Sequence, residues 1–222
     1  MRVLAAAVGL SILPAVAFAG PDWVEQGDAG STLSAAQFTR GLGTIRSIVG
    51  TLSPADRGQG DLEDLYIIRI SQPTTFSFSV NASNFSPTLY LFNISLAGEA
   101  FGLLGKRGDG AGSFTMGGTA TDTSGAQVTQ PGLYMLCITY TGNVPRSRTG
   151  NIFNFVSEAE TSGPDGAGGT NPLEVWTPTA PLVGGSYDID MTGVEFADIP
   201  SPGSAALVCG ASVLLLRRRR ES

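Results

Sequence analysis

Histidine is absent from the 222 residues, which removes the commonest general base, the usual zinc ligand and the imidazole of any Ser-His-Asp or Cys-His arrangement. Cysteine is nearly as scarce. Of the two, Cys137 falls in an apolar strand pattern and Cys209 in the C-terminal apolar run. A bridge would have to tie body to tail, and Cys137 reads instead as a small buried hydrophobe. Charged residues make up only 14% of the chain, against 30 glycines and 13 prolines. That balance argues against long surface helices and for short strands joined by many turns. Five of the 13 basic residues (Arg2 and Arg217 to Arg220) and one of the 19 acidic ones (Glu221) lie in the terminal segments, leaving 8 basic and 18 acidic in the body. A body so acidic repels nucleic acid and stays soluble. The length fits one domain with its own core.

Both ends carry sorting information. Met1-Arg2 precedes the apolar run Val3 to Ala17, and Ala17-Phe18-Ala19 stands before Gly20. A positive start, an apolar centre and small residues at the −3 and −1 positions form a secretory signal of residues 1–19. Secretion machinery and a signal peptidase are the expected partners, with cleavage at Ala17, Ala19 and Gly20. At the other end, Pro200-Ser201-Pro202-Gly203 precedes the apolar stretch Ser204 to Leu216, followed by Arg217, Arg218, Arg219 and Arg220. Thirteen residues are short for roughly 30 Å of hydrocarbon, while the arginines favour the cytoplasmic side.

This tail, residues 199–222, resembles the PEP-CTERM sorting signal, with Ser201 where the family name has glutamate. The resemblance implies processing by an exosortase-type membrane peptidase and an envelope or exopolysaccharide context. Extracellular polysaccharide is then an expected partner. A plain tail anchor is the alternative. Either way the body lies outside the cytoplasm, at the cell surface, outer envelope or beyond, with transient or stable membrane association through the C-terminus.

Between the ends, residues 20–42 read as a loose lead-in and 43–198 as the domain. Thr44 to Leu52 has the β-like pattern of an edge strand. Leu65 to Ile70 and Phe76 to Val80 read as two strands pairing as neighbours across Gln72-Pro73, the second alternating Phe76, Phe78 and Val80 with Ser77 and Ser79. Thr88 to Ile94, apolar almost throughout, reads as a central strand. Pro131-Gly132 opens Leu133 to Tyr140, and Ser186 to Met191 alternates again. A glycine-rich stretch runs from Gly98 to Gly125. Residues 143–185 read as an exposed Gly/Pro-rich insertion, part of which packs back through Trp176.

Seven or eight strands make an all-β fold, an antiparallel β-sandwich of jelly-roll or Ig-like type flanked by a signal helix and a short apolar helix. The order of motifs (Asp61, Asp64, Tyr66 and Ile68; Pro73, Phe76 and Phe78; Leu89 to Phe92; Pro131, Gly132 and Tyr134) is similar to the bacterial pre-peptidase C-terminal type of β-sandwich. The resemblance implies a module of secreted proteins.

The residues do not point to a catalytic centre or a cofactor. Asp61, Glu63 and Asp64, with Asp56 nearby, offer oxygen ligands of the kind calcium prefers, without the spacing of an EF-hand. Asp188 and Asp190 share one face of a strand and fit its solvated side. Lys106 and Arg107 lie in a glycine-rich stretch without a phosphate-loop pattern. Tyr66, Tyr90, Tyr134 and Tyr140 fit core packing better than a sugar-stacking face. The expectation is therefore an exported, non-enzymatic sandwich with a structural, adhesive or extracellular-matrix role. The alternatives are a carbohydrate- or calcium-binding accessory module and, further off, a hydrolase using carboxylates alone.

Overall fold

A computed structural model describes residues 22–53, 60–108, 110, 112–179 and 183–197. Every regular element among them is a strand, and no described helix is long and apolar enough to cross a membrane. The strands are β1 (Trp23–Val24), β2 (Gln37–Phe38), β3 (Ser47–Leu52), β4 (Glu63–Ile70), β5 (Ser77–Ala82), β6 (Pro87–Ile94), β7 (Ala100–Arg107) and β8 (Ser113–Gly117). They continue with β9 (Gly132–Tyr140), β10 (Asn143–Ser147), β11 (Gly150–Asn151), β12 (Thr161–Ser162), β13 (Val175–Pro178), β14 (Gly185–Thr192) and β15 (Val194–Phe196).

Three sheets result. Sheet A has the order β1-β3-β14-β5-β8, and sheet B the order β12-β7-β6-β9-β4-β15, with β2 also on β4. A small third sheet, β11-β10-β13, comes from the insertion. The long neighbours are antiparallel, whereas β1 on β3 and β2 on β4 are parallel, so the large sheets are mixed rather than purely antiparallel.

Alternation decides what each face does. In sheet A, Ile48, Phe78, Val80, Tyr187, Ile189 and Met191 turn inward, and the residues between them turn out. Sheet B meets them with Tyr66, Ile68, Ile70, Leu89, Leu91, Leu136 and Ile138, giving one core shared by two sheets, an arrangement consistent with a β-sandwich. The opposite face of sheet B carries Leu65, Ile67, Tyr90, Phe92, Met135 and Cys137 into a second core. Ile152, Phe153, Phe155 and Trp176 from the insertion cover that face, with Trp176 5.8 Å from Tyr90 between ring centroids.

The packing-back expected of Trp176 is therefore present, and the insertion supplies the lid of this core, with its own sheet. Cys137 is a free, buried thiol. The alternating strands β5 and β14 and the central position of β6 stand as the sequence predicts.

Several expectations need correction. Strands β4 and β5 are not neighbours but lie in opposite sheets, facing each other across the core. The connection turns a corner at which the amides of Ser71 and Gln72 both donate to the Gly193 carbonyl. Gly193 itself is the single residue by which β14 passes into β15, from one sheet to the other. Its φ of 74° and the Gln72 carbonyl beside it leave no room for a Cβ. The strand count rises from seven or eight to fifteen, partly because the Gly98–Gly125 stretch contains β7 and β8. The first strand is covered over part of its edge by β1. Residues 22–42, read as loose, contain β1, β2 and the fully buried Ala29 and Thr39. The two expected flanking helices fall outside the described residues.

The inward register of β14 makes a direct prediction. Ile189→Ala removes a fully buried side chain and is expected to cost about 2–5 kcal/mol in urea unfolding. Ser79→Ala, on the outward row of β5 opposite Asp190, should stay within about 0.5 kcal/mol. Equal effects at the two positions would contradict the register.

Candidate functional site

One end of the shared core is polar. Strand β4 opens with two acids, and period-two alternation sends them to opposite faces. Asp64 joins the inward row of Tyr66 and is completely buried. Asp61, just ahead of the strand, is held by a bridge in which the Ser53 amide donates to its carbonyl. Glu25 arrives from the far end of the sequence. Its amide donates to the Val49 carbonyl, and its Oε2 accepts from the Thr51 amide at 2.8 Å, which fixes it along the β3 edge. Ligand oxygens of Glu25, Asp61 and Asp64 all lie within 4.8 Å of one another.

A hydroxyl chain anchors the cluster. Tyr187 donates to Asp64 Oδ2 at 2.5 Å, so the 2.5 Å contact between the two tyrosine oxygens has Tyr66 donating to Tyr187. The Ala29 amide donates to Asp64 Oδ1. Tyr187 reaches Asp64 because its partner in register on β3 is Gly50. A methyl group at Gly50 would overlap the Tyr187 hydroxyl and crowd Glu25 Oε2.

The electrostatics follow from burial without a compensating cation. Burial first, then Asp61, pushes the Asp64 carboxyl up to about 9, against the downward pull of the Tyr187 hydrogen bond. Burial, followed by Asp28, Glu25 and Glu63, pushes Asp61 up to about 7. Burial raises Glu25 as well, partly opposed by the Thr51 amide and by a hydrogen bond with Asp64. A proton kept on Asp64 therefore serves both carboxyls. Glu25 Oε1 and Asp61 Oδ1 are buried without a hydrogen-bond partner among the described residues, oxygens a further proton or a cation would satisfy.

Of the three acids singled out in the sequence, Asp61 and Asp64 come together, and Glu63 turns to the second core. There it accepts from the Asn143 side-chain amide at 2.6 Å. Burial raises its carboxyl, while hydrogen bonds from Ser31 and Asn143 pull it back. Glu25 takes its place in the cluster. No spacing in the sequence announces that, since Glu25 and Asp64 meet only through the β1 to β3 pairing. Asp56 lies outside the described residues, as do Ala17, Ala19, Gly20, Pro200, Ser201, Pro202, Gly203 and Arg217 to Arg220.

The remaining candidates lie away from the carboxylates of this cluster. Asp188 and Asp190 project from the outer face of sheet A, while Tyr187, Ile189 and Met191 face in. Tyr66, Tyr90, Tyr134 and Tyr140 are all buried. Lys106 donates to the Ala159 carbonyl, and the Arg107 guanidinium sits 4.3 Å from the Phe155 ring centroid. No protein-family model matches the chain, and no curated protein matches it. Fold and site together define an all-β protein whose two large sheets enclose a core with a carboxylate cluster at one end.

The raised carboxyls set the pH dependence of stability. Each ionises at higher pH folded than unfolded, so the unfolded chain releases its protons first, and stability falls as pH rises from about 4. The loss runs through about 7 for Asp61 and about 9 for Asp64. Urea midpoints of the mature chain are expected to decline from pH 5 to pH 9, and Asp64→Asn should flatten the upper half of that decline. A wild-type midpoint that rises over this range would refute the assignment. Gly50→Ala, which displaces the Tyr187 hydroxyl, should cost about 1–3 kcal/mol, read from the same curves.

Proposed function

We propose that the chain is an exported, surface-sorted, non-enzymatic β-sandwich protein, of jelly-roll or Ig-like type, with a structural, adhesive or extracellular-matrix role. The observation that carries this is the pairing of the Ala17-Phe18-Ala19 signal with the Pro200-Ser201-Pro202-Gly203, apolar and Arg217 to Arg220 tail around a single acidic body. The similarity of that tail to PEP-CTERM signals supports an exosortase-type peptidase as partner and extracellular polysaccharide as surroundings. The similarity of the body to pre-peptidase C-terminal sandwiches supports a module of secreted proteins. The lack of histidine supports a non-catalytic role. The experiment is intact mass of the chain recovered from native envelope and medium, beside a variant lacking residues 200–220. Loss of both ends in the native chain and release of the truncated form are expected. An intact tail would replace sorting by a simple membrane anchor.

A second reading, a calcium-class site, is favoured by the Glu25, Asp61 and Asp64 cluster. Calcium takes 6–8 oxygens at roughly 2.3–2.6 Å, so oxygens on opposite sides of the ion lie about 5 Å apart. The 4.8 Å spread fits that coordination sphere, and Glu25 Oε1 and Asp61 Oδ1 are oxygens without another partner. Glu25, Asp61 and Asp64 would hold the ion, which would supply charge neutralisation and a clamp between the β1 to β3 edge and the start of β4. Calorimetric titration of the mature chain with calcium is expected to show binding with proton release. Asp64→Asn should abolish it and Glu63→Gln preserve it. No heat and no rise in melting temperature at millimolar calcium would remove this reading.

A further inference from the structure

The outer face of sheet A holds a concavity of about 670 Å³ toward its β1 end, whose lining reaches Glu25 and Tyr187 of the carboxylate cluster, and its volume is within the size range of small-ligand clefts. Register lays a row of side chains across four strands: Val24 opposite Val49, Val49 opposite Asp188, and Asp188 opposite Asn81. Neighbouring strands lie about 4.8 Å apart, so the row runs from two apolar side chains to two polar ones. Val24, 51% exposed, and Val49 form a dry strip at one end. At the other end the exposed Asn81 amide stands beside Ser83 and Ser186, whose hydroxyls bond each other at 2.8 Å. Between them Asp188 Oδ1 is buried with no hydrogen-bond partner among the described residues.

We infer that this concavity binds a segment of neutral polysaccharide laid across the strands. The outward positions of β3, β14, β5 and β8 include Asp188 and Asp190 and no lysine or arginine. An anionic chain is repelled there. A cationic side chain would supply donors for Asp188 and, carrying no acceptor of its own, would leave the Asn81 amide hydrogens unpaired, which is costly on desolvation. Sugar hydroxyls both donate and accept, as the Asn81 and serine groups do, and the C–H side of a sugar ring suits the Val24 and Val49 strip. A flat face of short side chains also loses little side-chain entropy on binding.

This inference rests on the adhesive reading for where the ligand would be met, and its test does not depend on export. The mature chain is run in affinity gels containing dextran, galactomannan or starch as neutral probes, alginate as an anionic one and chitosan as a cationic one. Retardation by at least one neutral gel is expected, falling at least tenfold in affinity for Asn81→Ala and Asp188→Ala. Thr115→Ala, on the same face beyond the concavity, should bind as wild type, and unchanged melting temperatures confirm that the variants fold. Retardation by none of the neutral gels, by chitosan alone, or equally in all variants overturns the proposal. So does concentration-dependent self-association blocked by the same two substitutions. A chain that binds glucan yet stays in the cytoplasm would overturn the export reading and leave this one standing.

Discussion

Burial of sheet B on both faces is the constraint from which the rest of the architecture follows. One face meets sheet A, and the other needs a cover, which the insertion provides with Ile152, Phe153, Phe155 and Trp176. A strand inside such a sheet has no solvent side to which polar residues can be sent. Strand β4 nonetheless begins with Glu63 and Asp64, so two adjacent carboxyls are buried in two different cores. Each is reconciled locally, Glu63 by the Asn143 amide and Asp64 by the Tyr187 hydroxyl and the Ala29 amide. The tyrosine that reaches Asp64 crosses from the other sheet, so the polar end of the core also couples the two layers.

The same constraint explains what could be read in the sequence. Sheet A has one wet face, and the alternation of β5 and β14 identifies both the strands and the direction of each side chain. Sheet B is apolar almost continuously in β4, β6 and β9, which signals a strand and hides its facing and its partners. Sequence adjacency then misleads, since the turn after β4 crosses between the sheets at Gly193. Strand β7 is concealed for a different reason. Gly102 and Gly105 weaken any strand signal, yet they lie where Ile152, Phe153 and Phe155 press against the sheet, and a Cβ at Gly102 would collide with Ile152.

At the acidic end, legibility was divided along the strand itself. Asp61 and Asp64 stand out because acids cluster ahead of an apolar run, and Glu63 stands out for the same reason. Alternation then separates Glu63 from the other two, a step that needs the strand to be placed and its core-facing side known. Glu25 was invisible because what brings it in is a parallel pairing of two residues, Trp23 with Ile48 and Val24 with Val49. Tyr187 is similar: its alternation marks it as buried, and only the glycine opposite explains why its hydroxyl can pass beyond the apolar layer.

The position of the cluster limits what its cost can do. Three close carboxyls in the middle of the shared core would oppose the packing of both sheets. At the margin the opposing charge falls on the weakest part of sheet A, since β1 pairs with β3 through two residues and Glu25 continues along that edge through one backbone and one side-chain hydrogen bond. Local opening draws on segments with few buried apolar contacts, and this edge is such a segment, whereas Asp64 is fixed by the hydroxyl chain. Loss of a proton there therefore loosens the Glu25 edge before it reaches the apolar layers at Ile48, Phe78 and Ile189. A proton on Asp64 removes one of the charges crowded at that edge, where the N-terminal strand is held by its two-residue pairing and the hydrogen bonds of Glu25.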